Sequence, residues 1–415
     1  MFLHSVCIIF ASKNENEGRL LQVCTVLPVP LEKHIPFRMK NPLVYILTIL
    51  FIPVSLYAGN SSVPLSWQLS GRLFLDGGIY TGAPEVFHNG VGIPDIRLGA
   101  KVNIFSDWYT KIDIGFAKNK VALKDAFVQY RRNEHYFRLG YMIGYFSMDE
   151  SNSTNDYFFL MAAPVAEAFY PDRRIGFSYT RSAASYYFSA GAFCGDGLNF
   201  SENIRQGYNF TGRAVWRPFS RPDRLLHIGG GALYKVPDKN TDTGNRSVSL
   251  GSKGVTYLSS PRTATITLDH VSHQVQANIE CLAFLDKWLL QGEYLWTGIR
   301  QEEGRPWYNA RGGYVQGGFL LKGSQLNYDE TDALPVMPSG SHAVMLMCRY
   351  NMTDLNDRTT GLFGGRQQDV TVGLNYYLNK YICAKLNYSR LWLDRYSAVG
   401  KCRYGMLQAR LQVRF

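Results

Sequence analysis

The sequence predicts an all-β protein, a transmembrane antiparallel β-barrel of about 16 strands. Three observations predict it. From Ser66 onward, apolar and polar residues alternate with period two, in runs separated by clusters of Gly, Asn, Asp, Ser and Pro. The chain is rich in Tyr (27) and Gly (39), with 14% aromatic residues, which suits many strands and aromatic girdles better than a helical core. Beyond the N-terminal region, no stretch is apolar enough for a membrane helix.

The N-terminal residues come first in the chain and are set apart from the barrel. Met39-Lys40-Asn41 opens a short basic region, Leu43 to Tyr57 is almost wholly apolar, and Ser55 and Ala58 supply small residues at −3 and −1. This is the pattern of a secretory signal over 39–58, with cleavage expected after Ala58. Residues 1–38 show no strand pattern and read as sequence upstream of the true start, or as part of an unusually long export signal. A secretory signal ahead of a barrel predicts the outer membrane of a Gram-negative cell.

Candidate strands then follow at 66–80, 93–105, 107–118, 120–132, 135–145, 173–181, 185–194 and 207–219. Eight more follow at 223–236, 272–284, 287–298, 308–321, 342–353, 367–379, 381–394 and 403–415. The total is even, as single-chain bacterial barrels require. The last strand is the clearest: Leu407, Ala409, Leu411, Val413 and Phe415 alternate with Gln408, Arg410, Gln412 and Arg414. Ending on Phe415 in the apolar phase resembles the signal read by the barrel-assembly machinery. Single aromatics near strand ends (Tyr130, Tyr141, Trp216, Tyr350, Trp392) are what two membrane interfaces select. A soluble β-sandwich or propeller would also alternate, but no blade-length repeat is present. Parity puts the long segment 322–341 on the periplasmic side, where long links are unexpected, which points to a misplaced strand there.

The phase opposite the apolar one must line the lumen. Its basic residues are Arg72, Arg97, Lys101, Lys111, Arg131, Arg138, Arg174, Arg213, Arg217, Lys235, Arg349, Lys385, Arg410 and Arg414. Its acidic residues are Asp76, Asp95, Asp113, Asp125, Glu280, Glu293 and Asp369. A lumen with this excess of Arg and Lys should concentrate anions, although many of the charges are expected simply to keep the lumen wet and pair with one another. The net charge of +11 is scattered singly, so it does not point to nucleic acid.

The link 146–172, between the fifth and sixth strands, is the candidate constriction. Its early part is acidic (Asp149, Glu150, Asp156), and its nearest cations are Arg173 and Arg174. An acidic gate argues against tight phosphate selectivity. Five Cys remain after the leader, widely spaced and without CxxC pairs, and no cofactor or metal is expected. An outer-membrane enzyme would need a nucleophile and base together, yet no His stands in a Ser-His-acid context. His270 and His273 lack a third ligand. A hydrophobic-solute channel would want an apolar plug ahead of Ser66. A structural or recognition role, with loop 237–271 as the recognising element, stays open.

Several stretches resemble the phosphate-selective porin O and P family, in the version common among Bacteroidetes. They are 123–130 (LKDAFVQY), 168–176 (AFYPDRRIG), 313–323 (GYVQGGFLLKG), 349–357 around Arg349-Tyr350-Asn351, and 364–379 (GGRQQDVTVGLNYYLN). The resemblance spans about 66–415, in order. It implies a sixteen-stranded, trimeric porin with an inward third loop, passing small hydrophilic or anionic solutes through a water-filled lumen. Outer-membrane lipid and lipopolysaccharide would surround it. Of the basic residues named from strand phase, Arg349 also lies in a matching block.

Overall fold

The structure, a computed structural model, describes residues 66–195, 203–221, 223–258, 261–302 and 304–415. The expected secretory signal over 39–58 and the residues 1–38 ahead of it lie outside them. Sixteen antiparallel strands close into a barrel. They are β1 (Ser66–Thr81), β2 (Ile96–Phe105), β3 (Trp108–Gly115), β4 (Ala122–Arg132), β5 (His135–Met142), β6 (Arg174–Ser182), β7 (Tyr186–Phe193) and β8 (Tyr208–Arg221). There follow β9 (Arg224–Val236), β10 (Val271–Leu285), β11 (Trp288–Gln301), β12 (Tyr308–Lys322), β13 (Ala343–Asp357), β14 (Leu362–Tyr377), β15 (Ile382–Leu393) and β16 (Cys402–Arg414). Each strand pairs with its sequence neighbours, and β1 closes the ring on β16 from Arg72↔Arg414 to Thr81↔Gly405. Full closure leaves no sheet edge, the condition for a sheet that spans a membrane.

Every strand expected from alternation is present, with shifted ends. The strand expected at 107–118 stops at Gly115, where a short turn over Ala117–Asn119 puts Lys118 at φ 60°. The one expected at 135–145 stops at Met142, where the inward loop departs. Conversely, β13 and β14 run on past the expected ends to Asp357 and Leu362, because their hairpin keeps pairing above the membrane. Tight turns at Asn133-Glu134 and Asp286-Lys287 put Asn133 (φ 53°) and Asp286 (φ 50°) in the left-handed region, which Asn and Asp tolerate.

The two phases separate as their chemistry requires. On β16, Leu407 and Leu411 are exposed to the lipid side, while Gln408, Arg410 and Gln412 are buried in the lumen. Cys281 and Cys348 also face outward, among apolar neighbours. Aromatic pairs mark the periplasmic rim, with Trp108 against Tyr130 (4.9 Å) and Trp288 against Phe319 (4.5 Å). At the external rim, His273 meets Trp307 at 5.2 Å. The wall is lopsided. Strands β2 to β7 have 8–11 residues, whereas β8 to β16 have 12–16.

Three segments fold into the barrel. The loop between β5 and β6 carries α1 (Met148–Ser151) and α2 (Pro164–Ala168), and its run from Tyr157 to Ala166 is buried. A stretch reading YFFLMAAPVA cannot rest in water, so it lies against the inner wall. Glycines make room for it: a Cβ on Gly312 would sit 2.7 Å from Val165, and one on Gly231 2.5 Å from the Phe146 carbonyl. The loop between β9 and β10 adds a hairpin, Val248–Ser252 with Ala264–Leu268, packed on α2. The third is the segment over 323–342. It is no misplaced strand: it forms a hairpin, Gln325–Asp329 with Leu334–Ser339, turned into the lumen from the periplasmic end. Leu326, Leu334 and Met337 bury against Met148, Phe158 and Phe159.

Candidate functional site

Along β8 to β16, most of the inward charges are buried. Arg213 is fully buried, pairs with Glu280 (2.8 Å) and donates to the carbonyls of Asp332 (3.0 Å) and Ala333 (2.8 Å) at the hairpin tip. His227 joins Glu280 (3.0 Å) to the Tyr328 hydroxyl (3.0 Å). Arg217 donates to the Glu330 carbonyl (2.9 Å) and to its own wall at Tyr186 (3.2 Å). Arg349 donates to the Met161 carbonyl (3.1 Å) and lies on the Phe159 ring (4.5 Å). Lys385 donates to the Tyr157 carbonyl, Asn375 to that of Phe158 (2.7 Å) and Gln412 to that of Asn155 (2.8 Å). Arg410 forms a two-pronged pair with Asp76, at 2.7 Å on each side. An irregular loop buried in a barrel leaves carbonyls without partners, and these side chains supply the donors.

This differs from the expectation for Arg213, Arg217, Arg349, Lys385 and Arg410. Their inward phase is as read, but loop and hairpin cover them. Arg174 is likewise buried, forked onto Asp238 at 3.1 and 3.2 Å. Lys235 reaches Asp172 at 3.4 Å, at the external mouth. An inward arginine in a sequence looks the same whether water or a carbonyl awaits it.

The other half of the wall stays open. A cavity of about 600 Å³ runs between β1–β5 on one side and the inward segments on the other. Arg72 and Arg97 share Asp95 at 2.8 and 3.1 Å. Lys111 bridges Asp113 (2.9 Å) and Asp125 (3.1 Å), and Arg173 takes the second oxygen of Asp125 (3.0 Å) with the Tyr170 hydroxyl (2.8 Å). Arg138 holds Gln129, the Tyr145 hydroxyl and Asp332 (3.2 Å), tying the hairpin tip to β5. Side chains here keep real exposure, 34% for Lys111 and 22% for Arg173, against 0% for Arg213. Lys101 and Arg131 stand on the faces of Tyr109 (4.0 Å) and Tyr136 (5.4 Å).

A second cavity of about 580 Å³, at the periplasmic end, is lined by Gln68, Lys380, Arg414 and Phe415. The two cavities share Arg72, Arg97, Lys111, Asp113 and Ser153, so any solute route along this side passes these residues. Together they are lined by nine basic and eight acidic side chains. The excess of cations read from strand phase is therefore mostly spent beneath the loops, not displayed to the passage.

The acidic gate divides in the same way. Asp149 is buried, and its carboxylate accepts from the Ala163 amide (2.6 Å), pinning α1 to α2. Burial raises its pKa, and only Arg349 and the hydrogen bonds oppose that. Glu293 takes the α1 amides of Met148 (3.1 Å) and Asp149 (2.7 Å), an anion at a helix start. Asp156 is held by Arg414 (3.0 Å). Of the three gate carboxylates, Glu150 is the one that faces the central cavity without an ion pair among the described residues. Burial, then the neighbouring carboxylates Glu167 and Asp149, push its pKa well above the usual range. The Tyr157–Met161 run and the hairpin were the parts of the site not foreseen. The aromatic cluster Tyr157-Phe158-Phe159 within the candidate constriction 146–172 is the signal that points to them. Among the described residues, no group of His, Cys, Asp and Glu could hold a metal ion.

Comparison with known proteins agrees with this architecture. A curated protein of Caulobacter vibrioides, itself described only as uncharacterised, is 26% identical over 345 residues, covering 79% of this chain and 68% of that one. Among solved structures, the trimer form of the Vibrio cholerae outer membrane protein OmpT superposes with a TM-score of 0.57 at 12% identity, over 85% of this chain and 99% of that one. The anion-selective porin of Comamonas acidovorans gives 0.57 at 11% identity, over 85% and 100%. At such identities the likeness is one of fold. The family model for phosphate-selective porin O and P matches residues 69–415, all of the barrel but its first three residues, and the chain belongs to that family of outer-membrane porins.

Proposed function

We propose that the protein is a passive, water-filled channel for small hydrophilic solutes, with a modest anion preference set by Arg72, Arg97, Lys111 and Arg173. The carrying observation is that these four side chains line the central cavity and three of them also line the periplasmic one. Asp95, Asp113 and Asp125 offset part of their charge. Glu150 and Glu167, both with raised pKa, offset less than two ordinary carboxylates would. A near-balanced lining favours anions weakly and gives no ladder of free guanidinium groups, so phosphate is one permeant anion among several. The porin family supports a channel and not an enzyme. The solved OmpT is described as a trimer, and the short wall β2–β7 supports a threefold contact there in this protein too.

Single-channel recording of the purified protein in planar bilayers tests the reading. Open-channel current with a reversal potential on the anion side is expected in a salt gradient. Absence of conductance, or clear cation preference, would overturn it. Block of a chloride current by low concentrations of phosphate would replace the weak preference with a selective one.

A further inference from the structure

The outward face of the barrel should be uncharged within the membrane, and over most of its circumference it is. At the external ends of β1, β8 and β9, the outward positions are Ile79, Tyr208, Phe210 and Tyr234. On β12 to β16 the pattern breaks. Arg311, Arg366 and Arg403 are exposed and Arg390 is half-buried, each in phase with lipid-facing neighbours such as Val315, Val372, Leu407 and Tyr388. All four stand within four residues of the strand end that leads to an external loop.

The register gathers them. Arg311 lies opposite Asp354, which lies opposite Arg366. One row lower, Gln368 faces Trp392, which faces Arg403. Arg390 sits between Val370 and Gly405 in the next row. Two carboxylates flank Arg366 and both are engaged by Asn356: Asp354 accepts from its amide at 3.1 Å, and Asp394, whose own amide donates to the Arg366 carbonyl, accepts from its Nδ2 at 2.7 Å. Among the described residues, none of the four guanidinium groups has an ion pair. Tyr350, Trp392 and Phe363 stand among them, aromatics of the kind that settle at headgroup depth.

Four like charges side by side repel, and two carboxylates already held by Asn356 offset them only in part, so the cluster favours an anion opposite it. The guanidinium fork matches phosphate oxygens in pairs. The apolar belt below the cluster would hold acyl chains beneath that anion. We propose that the external outward face of β12–β16 binds the phosphate-bearing headgroup of an outer-leaflet glycolipid. The site is on the outside of the barrel and does not depend on the solute the lumen passes.

The test is binding of bis-phosphorylated lipid A to the full-length protein in detergent micelles, read by native mass spectrometry and by thermal stabilisation. Retention of lipid A, with at least about tenfold weaker binding of chemically dephosphorylated lipid A, is expected. Equal binding of the two lipids would overturn the proposal, and that arm needs no variant. A variant carrying Arg311→Gln, Arg366→Gln and Arg403→Gln should lose the discrimination while its conductance and reversal potential stay unchanged. Undiminished lipid A binding by a folded variant would overturn the site. So would loss of the oligomer with no loss of lipid, which would make the face a contact between copies of this chain.

Discussion

The inner walls of β1–β5 and of β8–β16 follow one sequence rule and do two different things. Both alternate, and both point Arg and Lys inward. On β1–β5 those cations border a cavity and are neutralised only in part by neighbouring aspartates. On β8–β16 they hold the carbonyls of an inward loop and a periplasmic hairpin. The difference teaches that inward phase locates a charge, while loop cover decides its task. A pore can be basic by composition and nearly balanced along its passage.

Removing a buried cation should break this comparison most forcefully. Arg213→Ala leaves the buried Glu280 with only His227 and Asn278 and takes the arginine donor from two hairpin carbonyls, which should cost about 3–5 kcal/mol of barrel stability. Urea or thermal unfolding in detergent checks it; a change below about 1 kcal/mol would show that water relieves the site. Next in size, replacing residues 325–339 by a short Gly-Ser linker should widen the periplasmic half and raise single-channel conductance. Unchanged conductance would mean the hairpin lies off the solute route.

Selectivity sharpens the contrast further. Neutralising Arg72, Arg97 and Lys111 together should move the reversal potential toward cations. Arg349→Ala should leave it where it was, despite the similar phase of these residues on their strands. Equal shifts from both variants would erase the distinction between the two walls. The smallest effect expected is that of pH. Glu150 binds its proton up to a higher pH than an ordinary carboxyl, so raising the pH through that range adds one negative charge to the passage. Anion preference should therefore fall as pH rises, and Glu150→Gln should flatten the profile measured by reversal potential.

Much of the shell is legible in the sequence, because a strand of ten residues with one apolar face has few alternatives in a membrane. Leu407 to Phe415 is enough to orient the last strand. The filling is harder to read. Gln325–Asp329 and Leu334–Ser339 are shorter than a spanning strand, and nothing local says whether such a hairpin hangs into the periplasm or turns inward. That choice rests on Arg138, Arg213, Arg217 and His227, more than a hundred residues away in the chain for all four contacts. The third loop lies between these cases. Its acidic start is visible, while its burial follows from the apolar run after Tyr157.

The hairpin also bears on the order in which the molecule assembles. Its ends are fixed between β12 and β13, but its tip grips β5, β8 and β9 across the lumen. Such distant partners meet only once the sheet from β5 to β13 has curled about half a circle, and closing so long a loop is entropically slow. Until then, the arginines and carbonyls of the interior can be hydrated, so an unfilled cylinder is a viable intermediate. The expected order is shell before filling.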